Sequence, residues 1–485
     1  MLATLSHVRG DECVLEDASG CVDARIDNAQ SASGLLTDGC IVLAEGTVEK
    51  ENRRNPMLHV SALGMPPAEQ REDTVAAFPG FDLSGTGTSV LQQSPADLEA
   101  LQEEEQRSGG AVCVMSDVYL DDDRVHKRLL SFIDGCASSN LEPQVIALLG
   151  NLSRSSDLRK LREGLFTLGE GVVTEARRTL PSTTIVIVPG SNDFVPYDAL
   201  PYPPLLELLR SALNEGFASS SDDAQPDNVV FATNPVKLRA LTHEIALLRL
   251  DLQATARCHC VRKPVEEDVE DDNDASEAET QEAKRLRHLC STLVRQAHMC
   301  PLPLDAQPIA WALDGALSLD PAPHGLVIAD SSELQAATSA DDVAVSNPGS
   351  FVESGEFALY RIPDGKMELC QVAVPDEDDE LTYDRSGAVA KSTAAADADA
   401  LHDNNHAADK NDAMVQEDYD PREDSAHEVG KDAGDAEEAA DEEQIVCDAA
   451  LMKHKRGGKD EEKDKNDPAV NDLLQALDDE DDEIT

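Results

Sequence analysis

VIVPGSNDFVPYDALPYPPL, from Val186 to Leu205, decides the architecture. Its opening extends an apolar run that starts at Thr184. The run is long enough for a strand and too short for a helix, and Pro189-Gly190 turns it into a loop carrying Ser191, Asn192 and Asp193. An unbroken Val/Ile run fits a strand buried on both faces, as in sheets covered by helices. Functional loops in such sheets lie beyond the carboxyl ends of the strands.

The neighbouring sequence keeps this rhythm. AVCVMSD from Ala111 is a buried strand, and the next segment places Val125, Leu129, Leu130 and Ile133 on one helical face. QVIALLGN is a second buried strand. Leu158, Leu161, Leu165 and Leu168 follow at helical spacing, then strand Thr184 to Val188, helix Leu205 to Leu213 and strand Val229 to Thr233. Strands are expected again at Leu326 to Ala329 and Val343 to Ser346, with an edge pair at Phe357 to Ile362 and Met367 to Val372. The pattern predicts a layered α/β domain over 110–374. The acidic, aromatic-free run 265–282 interrupts it as a solvated surface insertion.

Residues 1–75 read differently. ATLSHV, ECVLED, CVDARI, CIVLAEGTVE and MLHVSALGM are five short alternating segments separated by turn residues, the pattern of a small antiparallel all-β barrel of oligonucleotide-binding (OB) type. A barrel that grips single strands needs aromatic platforms and a basic groove. No Phe, Tyr or Trp precedes Phe78, and acidic residues are interleaved with the few Arg. Packing or protein contact is therefore the expected use of the barrel. Residues 76–109 have linker composition with room for one short helix.

A formal net charge of -56 over 485 residues excludes bulk electrostatic attraction to phosphate backbones. The start lacks the basic flank and apolar core of a signal peptide, and no apolar run approaches the roughly 18 residues of a membrane span. A soluble intracellular protein with reduced thiols is expected from its 11 Cys. Cys258-His259-Cys260 with Cys300 lacks the usual zinc spacing. From 375 to 485 the chain is acidic and poor in large apolar residues, which predicts a disordered tail. Within it, Val470, Leu473, Leu474 and Leu477 form one stripe over a possible short helix at 468–478 that could fold on a partner, and MKHKRGGK is a weak basic cluster that could serve nuclear import.

Chemistry in the α/β domain would have to come from four loops: Ser116 to Tyr119, Gly150 to Ser153, Gly190 to Asp193 and Asn347 to Ser350. A two-metal hydrolase would load these places with His and Asp, because two adjacent dications need several anionic and imidazole ligands. The first loop offers Asp117 but then Tyr119, a poor ligand when protonated. The second puts the neutral amide Asn151 where a bridging Asp is needed. The third has Asn192 in the place of a ligand His, followed by Asp193, and the fourth has Gly349 and Ser350 in place of a Gly-His-x-His. Among the His, His298 alone is placed as a leftover ligand. No metal and no cofactor are expected. GTGTSV near Gly85 lies in the linker, and neither a phosphate-binding loop nor a Gly-x-Ser-x-Gly elbow occurs.

Several long stretches, in order, carry a resemblance: ECVLEDASGCVDARI, SGLLTDGCIVLAEGTVE and HVSALGMPP in the barrel, then VMSDVYLDDDRVHKRL, LLGNLSR, VIVPGSNDFVPYDALPYPPL, FATNPVKLRALTHEIALLRLDL, HMCPLPL, GLVIADS and VSNPGSFVESGEFALYRI. Over nearly all of Met1 to Val372 the chain resembles the B-subunit family of eukaryotic replicative DNA polymerases, and the Asn-Pro to Asp-Leu run resembles its epsilon branch. TNPVKL departs from that branch's usual NPCRI, and the acidic insertion and long tail are additions. The resemblance implies an OB barrel followed by a calcineurin-like phosphoesterase sandwich that has lost its ligands, leaving Asp117, Tyr119, Asn151, Asn192, Asp193 and His298 as degenerate positions. It further implies a noncatalytic nuclear subunit that holds the zinc-binding C-terminal domain of the catalytic subunit. Contacts with other polymerase and replisome subunits are expected, with DNA reached mainly through the complex and no membrane. A residual metal-dependent nuclease, or the equivalent subunit of the delta or alpha polymerase, is the alternative.

Overall fold

The structure is a computed structural model describing residues 1–31, 34–49, 56–78, 95–139, 141–155, 157–221, 223–262, 280–331, 333 and 335–372. The expected acidic tail with its helix at 468–478, the basic cluster, the GTGTSV run and most of the insertion lie outside these residues.

The first strands are β1 (Leu2–Arg9), β2 (Glu12–Asp17), β3 (Gly20–Arg25), β4 (Gln30–Ser31), β5 (Leu36–Thr37), β6 (Ile41–Glu49) and β7 (Met57–Gly64). Antiparallel pairs β1–β2, β2–β3, β1–β6 and β6–β7 make a sheet that the parallel pair β3–β7 closes into a five-stranded barrel. Alternate residues fill it: Ala3, Leu5, Cys13, Leu15, Ala24, Val42, Leu58, Val60 and Leu63 are buried together. A slip of one residue in any strand would turn this set outward. Gly46 sits at the β6–β7 bulge, where a Cβ would overlap the His59 carbonyl.

Two helices follow, α1 (Arg71–Ala77) and α2 (Pro95–Ser108), of which α2 is the one helix that the stretch expected as a linker had room for. Polar anchors hold both. Arg71 donates to Glu244 at 2.7 Å and to the Ala322 carbonyl at 2.9 Å, and Glu105 accepts from Thr242 at 2.7 Å.

The α/β part starts with β8 (Ala111–Met115), α3 (Asp123–Ser139), β9 (Val145–Leu149), α4 (Leu158–Thr167), α5 (Thr174–Thr179), β10 (Thr184–Val188), α6 (Glu207–Ser220) and β11 (Val229–Phe231). A π-helical turn at Leu168–Val173 joins α4 to α5. Next come β12 (Val236–Ala240), β13 (His243–Arg249), α7 (Leu252–Cys258), β14 (Cys260–Arg262), α8 (Gln281–Arg295), β15 (Gly325–Ala329), β16 (Ala336–Ala340), β17 (Val343–Asn347), α9 (Phe351–Ser354), β18 (Glu356–Arg361) and β19 (Lys366–Gln371). One sheet has the order β11-β10-β9-β8-β18-β19 and the other β12-β13-β15-β17-β16.

The two sheets share a core in which Val112, Val114, Ala147, Leu149, Val186 and Val188 meet Ile245, Leu247, Val327 and Ala329. Helices α3 to α6 cover the outer face of the first sheet, and α7 and α8 that of the second. Strands covered on both faces explain the continuous apolar runs. Helix, sheet, sheet, helix is the resulting layering.

The pair expected at the edge is found there, β18 and β19 closing one side of the first sheet next to β8. Two expectations need correction. Glu282, the last acidic residue of the 265–282 run, belongs to α8, because the Thr280 side chain caps it by accepting from the Ala283 N–H at 3.2 Å. Helix α1 crosses the boundary drawn at residue 75.

The barrel is fastened to the second sheet's outer layer. Thr292 accepts from the Leu35 N–H at 2.7 Å, Thr37 donates to the Pro301 carbonyl at 2.6 Å, and the Gln296 amide bonds both backbone groups of Ile41. Strand β14 pairs with β5 across the junction.

Candidate functional site

The parallel strands β8, β9 and β10 of one sheet and β13, β15 and β17 of the other send their carboxyl ends to one side, and the four loops singled out in the sequence meet there. Hydrogen bonds link them. Phe351, which follows the fourth loop, donates its N–H to the Ser116 carbonyl at 2.8 Å, and Asn151 of the second donates its N–H to Asp117 Oδ1 at 3.2 Å. The Asn192 N–H of the third reaches Asn151 Oδ1 at 3.3 Å.

Asp117 leaves β8 with φ of 52°, a left-handed conformation that Asp tolerates better than most residues. Its Oδ1 accepts two bonds from the guanidinium of Arg249, from Nη2 at 2.8 Å and Nε at 3.2 Å. Arg249 is the last residue of β13 and its side chain is 3% exposed. Its Nη1 donates to Asp251 Oδ1 at 2.8 Å and to the Ala329 carbonyl at 3.3 Å. Burial opposes the charge on Arg249, but Asp117 and Asp251 outweigh it and hold the guanidinium firmly protonated. The backbone of Arg249 is gripped as well, its N–H by Asn234 Oδ1 at 3.0 Å and its carbonyl by Asn234 Nδ2 at 2.8 Å. Asp251 in turn accepts from the N–H and hydroxyl of Ser331, each at 2.8 Å.

Asp193 is fully buried and held by backbone donors, Leu152 N–H to Oδ1 and Gly190 N–H to Oδ2, both at 2.7 Å. Burial pushes its pKa up to about 7, against the pull of those N–H groups and of Arg249. The two glycines make this nest possible. A Cβ on Gly150 would overlap Asp193 and the Gly190 backbone, and one on Gly190 would overlap Asn151. Tyr119 has its phenol pKa raised by burial and then by Asp117, which keeps it neutral, and the Arg154 guanidinium stacks 4.9 Å from its ring centre. In the fourth loop, Asn347 Oδ1 accepts from the N–H groups of Asp330 and Gly349 at 3.2 and 3.1 Å.

Of the six degenerate positions, Asp117, Tyr119, Asn151, Asn192 and Asp193 come together. His298 does not join them. Its Nε2 lies 3.2 Å from Asp314 and its Nδ1 accepts from the Cys300 N–H at 3.0 Å, so its partners are those of a packed surface turn.

The donor set does not fit a pair of dications. Asp117 is committed to Arg249, Asp193 to backbone N–H groups, and Asn151 and Asn192 are neutral. Among the described residues no group of three or more His, Cys, Asp and Glu is placed to hold a metal. A guanidinium cannot carry an activated water, so the arrangement supplies rigidity and one buried positive charge.

Arg249 and Asn234 were not among the candidates read from the sequence, and neither was the strand β13 that ends at Arg249. The signal was there. HEIALLRL is an apolar run with one Arg between two Leu, and an Arg in a buried strand requires a paired anion.

Residues 112–337 match the family of DNA polymerase alpha/epsilon B subunits, and residues 1–67 match the OB-fold domain described as DNA polymerase epsilon subunit 2-like. The chain is 30% identical over 377 residues to the DNA polymerase epsilon B subunit of Arabidopsis thaliana, covering 76% of this chain and 65% of that protein. It is 30% identical over 359 residues to DNA polymerase epsilon subunit 2 of Homo sapiens, covering 73% of this chain and 62% of that one. With the DNA polymerase epsilon B subunit of Saccharomyces cerevisiae the identity is 26% over 386 residues, covering 70% and 54%. The chain thus spans between about half and two thirds of the length of these relatives.

Proposed function

Because the chain belongs to the DNA polymerase alpha/epsilon B-subunit family, we propose that it is a noncatalytic, scaffolding subunit of nuclear DNA polymerase epsilon. In this reading it binds the zinc-binding C-terminal domain of the catalytic subunit during DNA replication, and meets other replisome subunits and DNA mainly through that complex. Its α/β domain is a calcineurin-like phosphoesterase sandwich put to structural use.

One observation carries the reading. The place where such a hydrolase would gather metal ligands is closed by Arg249, paired with Asp117 at 2.8 Å and 3% exposed. The charge that a dication would supply is provided by a side chain that cannot activate water. Around it the loops are cross-linked into one rigid surface, and the barrel is fixed to that body through Thr37, Thr292 and Gln296. Rigid, preordered surfaces suit assembly because little conformational freedom is lost on binding.

Co-expression of the full chain with the C-terminal domain of the catalytic subunit tests the proposal. A stoichiometric complex surviving gel filtration is expected. Separate elution of the two chains at micromolar concentration would refute it.

A further inference from the structure

The chain has a single tryptophan, Trp311, and it is 72% exposed. Around it in sequence are Leu313 and Leu304, 48% and 47% exposed, and a second loop adds Tyr197 at 43%. The backbone joins the two loops. Leu200 donates its N–H to the Pro308 carbonyl at 3.0 Å and accepts from the Ala310 N–H at 2.8 Å, forming a bridge with Ile309. Beneath them Leu200, Tyr202 and Leu317 are at most 1% exposed, so the outward side chains stand on a packed base.

Charge specifies what can cover this patch. Residues 191–209 and 296–323 contain no Lys or Arg, and Asp198 and Asp305 are exposed along them; of the other carboxylates there, Glu207 pairs with Arg210 at 3.3 Å, Asp314 lies 3.2 Å from His298 and Asp320 lies near Lys237. Asp198 and Asp305 give the rim its attraction for cations. Exposed Trp and Tyr on a rigid base are the side chains that most often anchor protein interfaces.

We propose that the Tyr197, Leu304, Trp311 and Leu313 surface receives an apolar protein segment flanked by Lys or Arg. The proposal rests on the reading of the chain as an assembly subunit, and the segment belongs to the catalytic subunit's C-terminal domain. The apolar part covers the Trp311 indole, and the basic flanks face Asp198 and Asp305.

The sole tryptophan supplies the test. The full chain is labelled with 5-fluorotryptophan and titrated with the C-terminal domain, following the single fluorine resonance, alongside Trp311→Glu and the double variant Asp198→Asn with Asp305→Asn. Both sites are exposed, so the variants are expected to unfold at the wild-type temperature. The proposal expects the resonance to shift on binding, Trp311→Glu to weaken binding at least about 10-fold, and the double variant to flatten the salt dependence. A complex that forms with the resonance unmoved and Trp311→Glu binding as wild type overturns the surface while leaving the subunit assignment standing. Binding that needs Trp311 but ignores both salt and the Asp variants overturns the basic flanks. Failure of the wild-type chain to bind at all overturns the subunit assignment and this surface with it.

Discussion

Arg249 and Asp117, the one ending β13 of the second sheet and the other following β8 of the first, form an ion pair at 2.8 Å with both side chains at most 3% exposed. The pair joins the two sheets at the point where their carboxyl ends converge. A guanidinium so placed supplies charge to the surrounding carboxylates and gives the loops a common anchor.

Removing one partner strands the other. Arg249→Met leaves Asp117 buried without its cation and is expected to cost about 3–5 kcal/mol of stability. Arg249→Met combined with Asp117→Asn, which tolerates the left-handed backbone there, should recover part of that loss. Denaturant unfolding of the single and double variants measures the coupling, and additive losses would show that the pair does not act as a unit.

Asp193 makes stability depend on pH with a defined sign. Its folded pKa of about 7 lies above the ordinary value of 3.8, so the folded state holds this proton more tightly than the unfolded chain. The contribution is complete below about pH 4, declines as the pH rises, and is gone above about pH 7, a span worth roughly 4 kcal/mol. Asp193→Asn cannot titrate. The stability of the wild type relative to this variant should therefore fall between pH 4 and pH 7. A difference that stays flat across that range would mean that the carboxylate is ionised throughout.

Gly150 tests the close approach of the second and third loops. Gly150→Ala forces a methyl group into Asp193 and the Gly190 backbone and is expected to cost about 3 kcal/mol or more, or to leave the chain insoluble. Gly135, on the exposed side of α3, has no atom within 4 Å of a built Cβ, so Gly135→Ala should stabilise by about 0.5–1 kcal/mol. Thermal unfolding of the two variants should move in opposite directions.

How much of this was legible depends on where the information sits. The barrel strands were visible because Leu5, Leu15, Val42 and Val60 alternate with polar residues, and β8, β9 and β10 because a strand buried on both faces must be apolar throughout. Asp117, Asn151 and Asp193 could be placed on strand-end loops for the same reason. Strands β12 and β13 were not separated, because VKLRALTHEIALLRL mixes charges into its apolar runs and the partners of those charges are distant in sequence. Arg249 finds Asp117 132 residues away, and Arg71 finds Glu244 across 173. His298 was named as a leftover position because its place in a motif says nothing of its neighbours, which are Asp314 and the Cys300 backbone. Helix α2 was legible only as room for one short helix, because its composition suits solvent as well as it suits a helix anchored through Glu105.

Metal binding by the 485-residue chain, read by elemental analysis after equilibration with Mn2+ or Zn2+ and paired with a phosphodiesterase assay, bears most directly on the central proposal that Arg249 occupies the place where a hydrolase would hold its metal ions. The account predicts substoichiometric metal and no turnover, in the wild type and in Asp193→Ala alike. Two equivalents of metal, with phosphodiester cleavage abolished by Asp193→Ala, would contradict it.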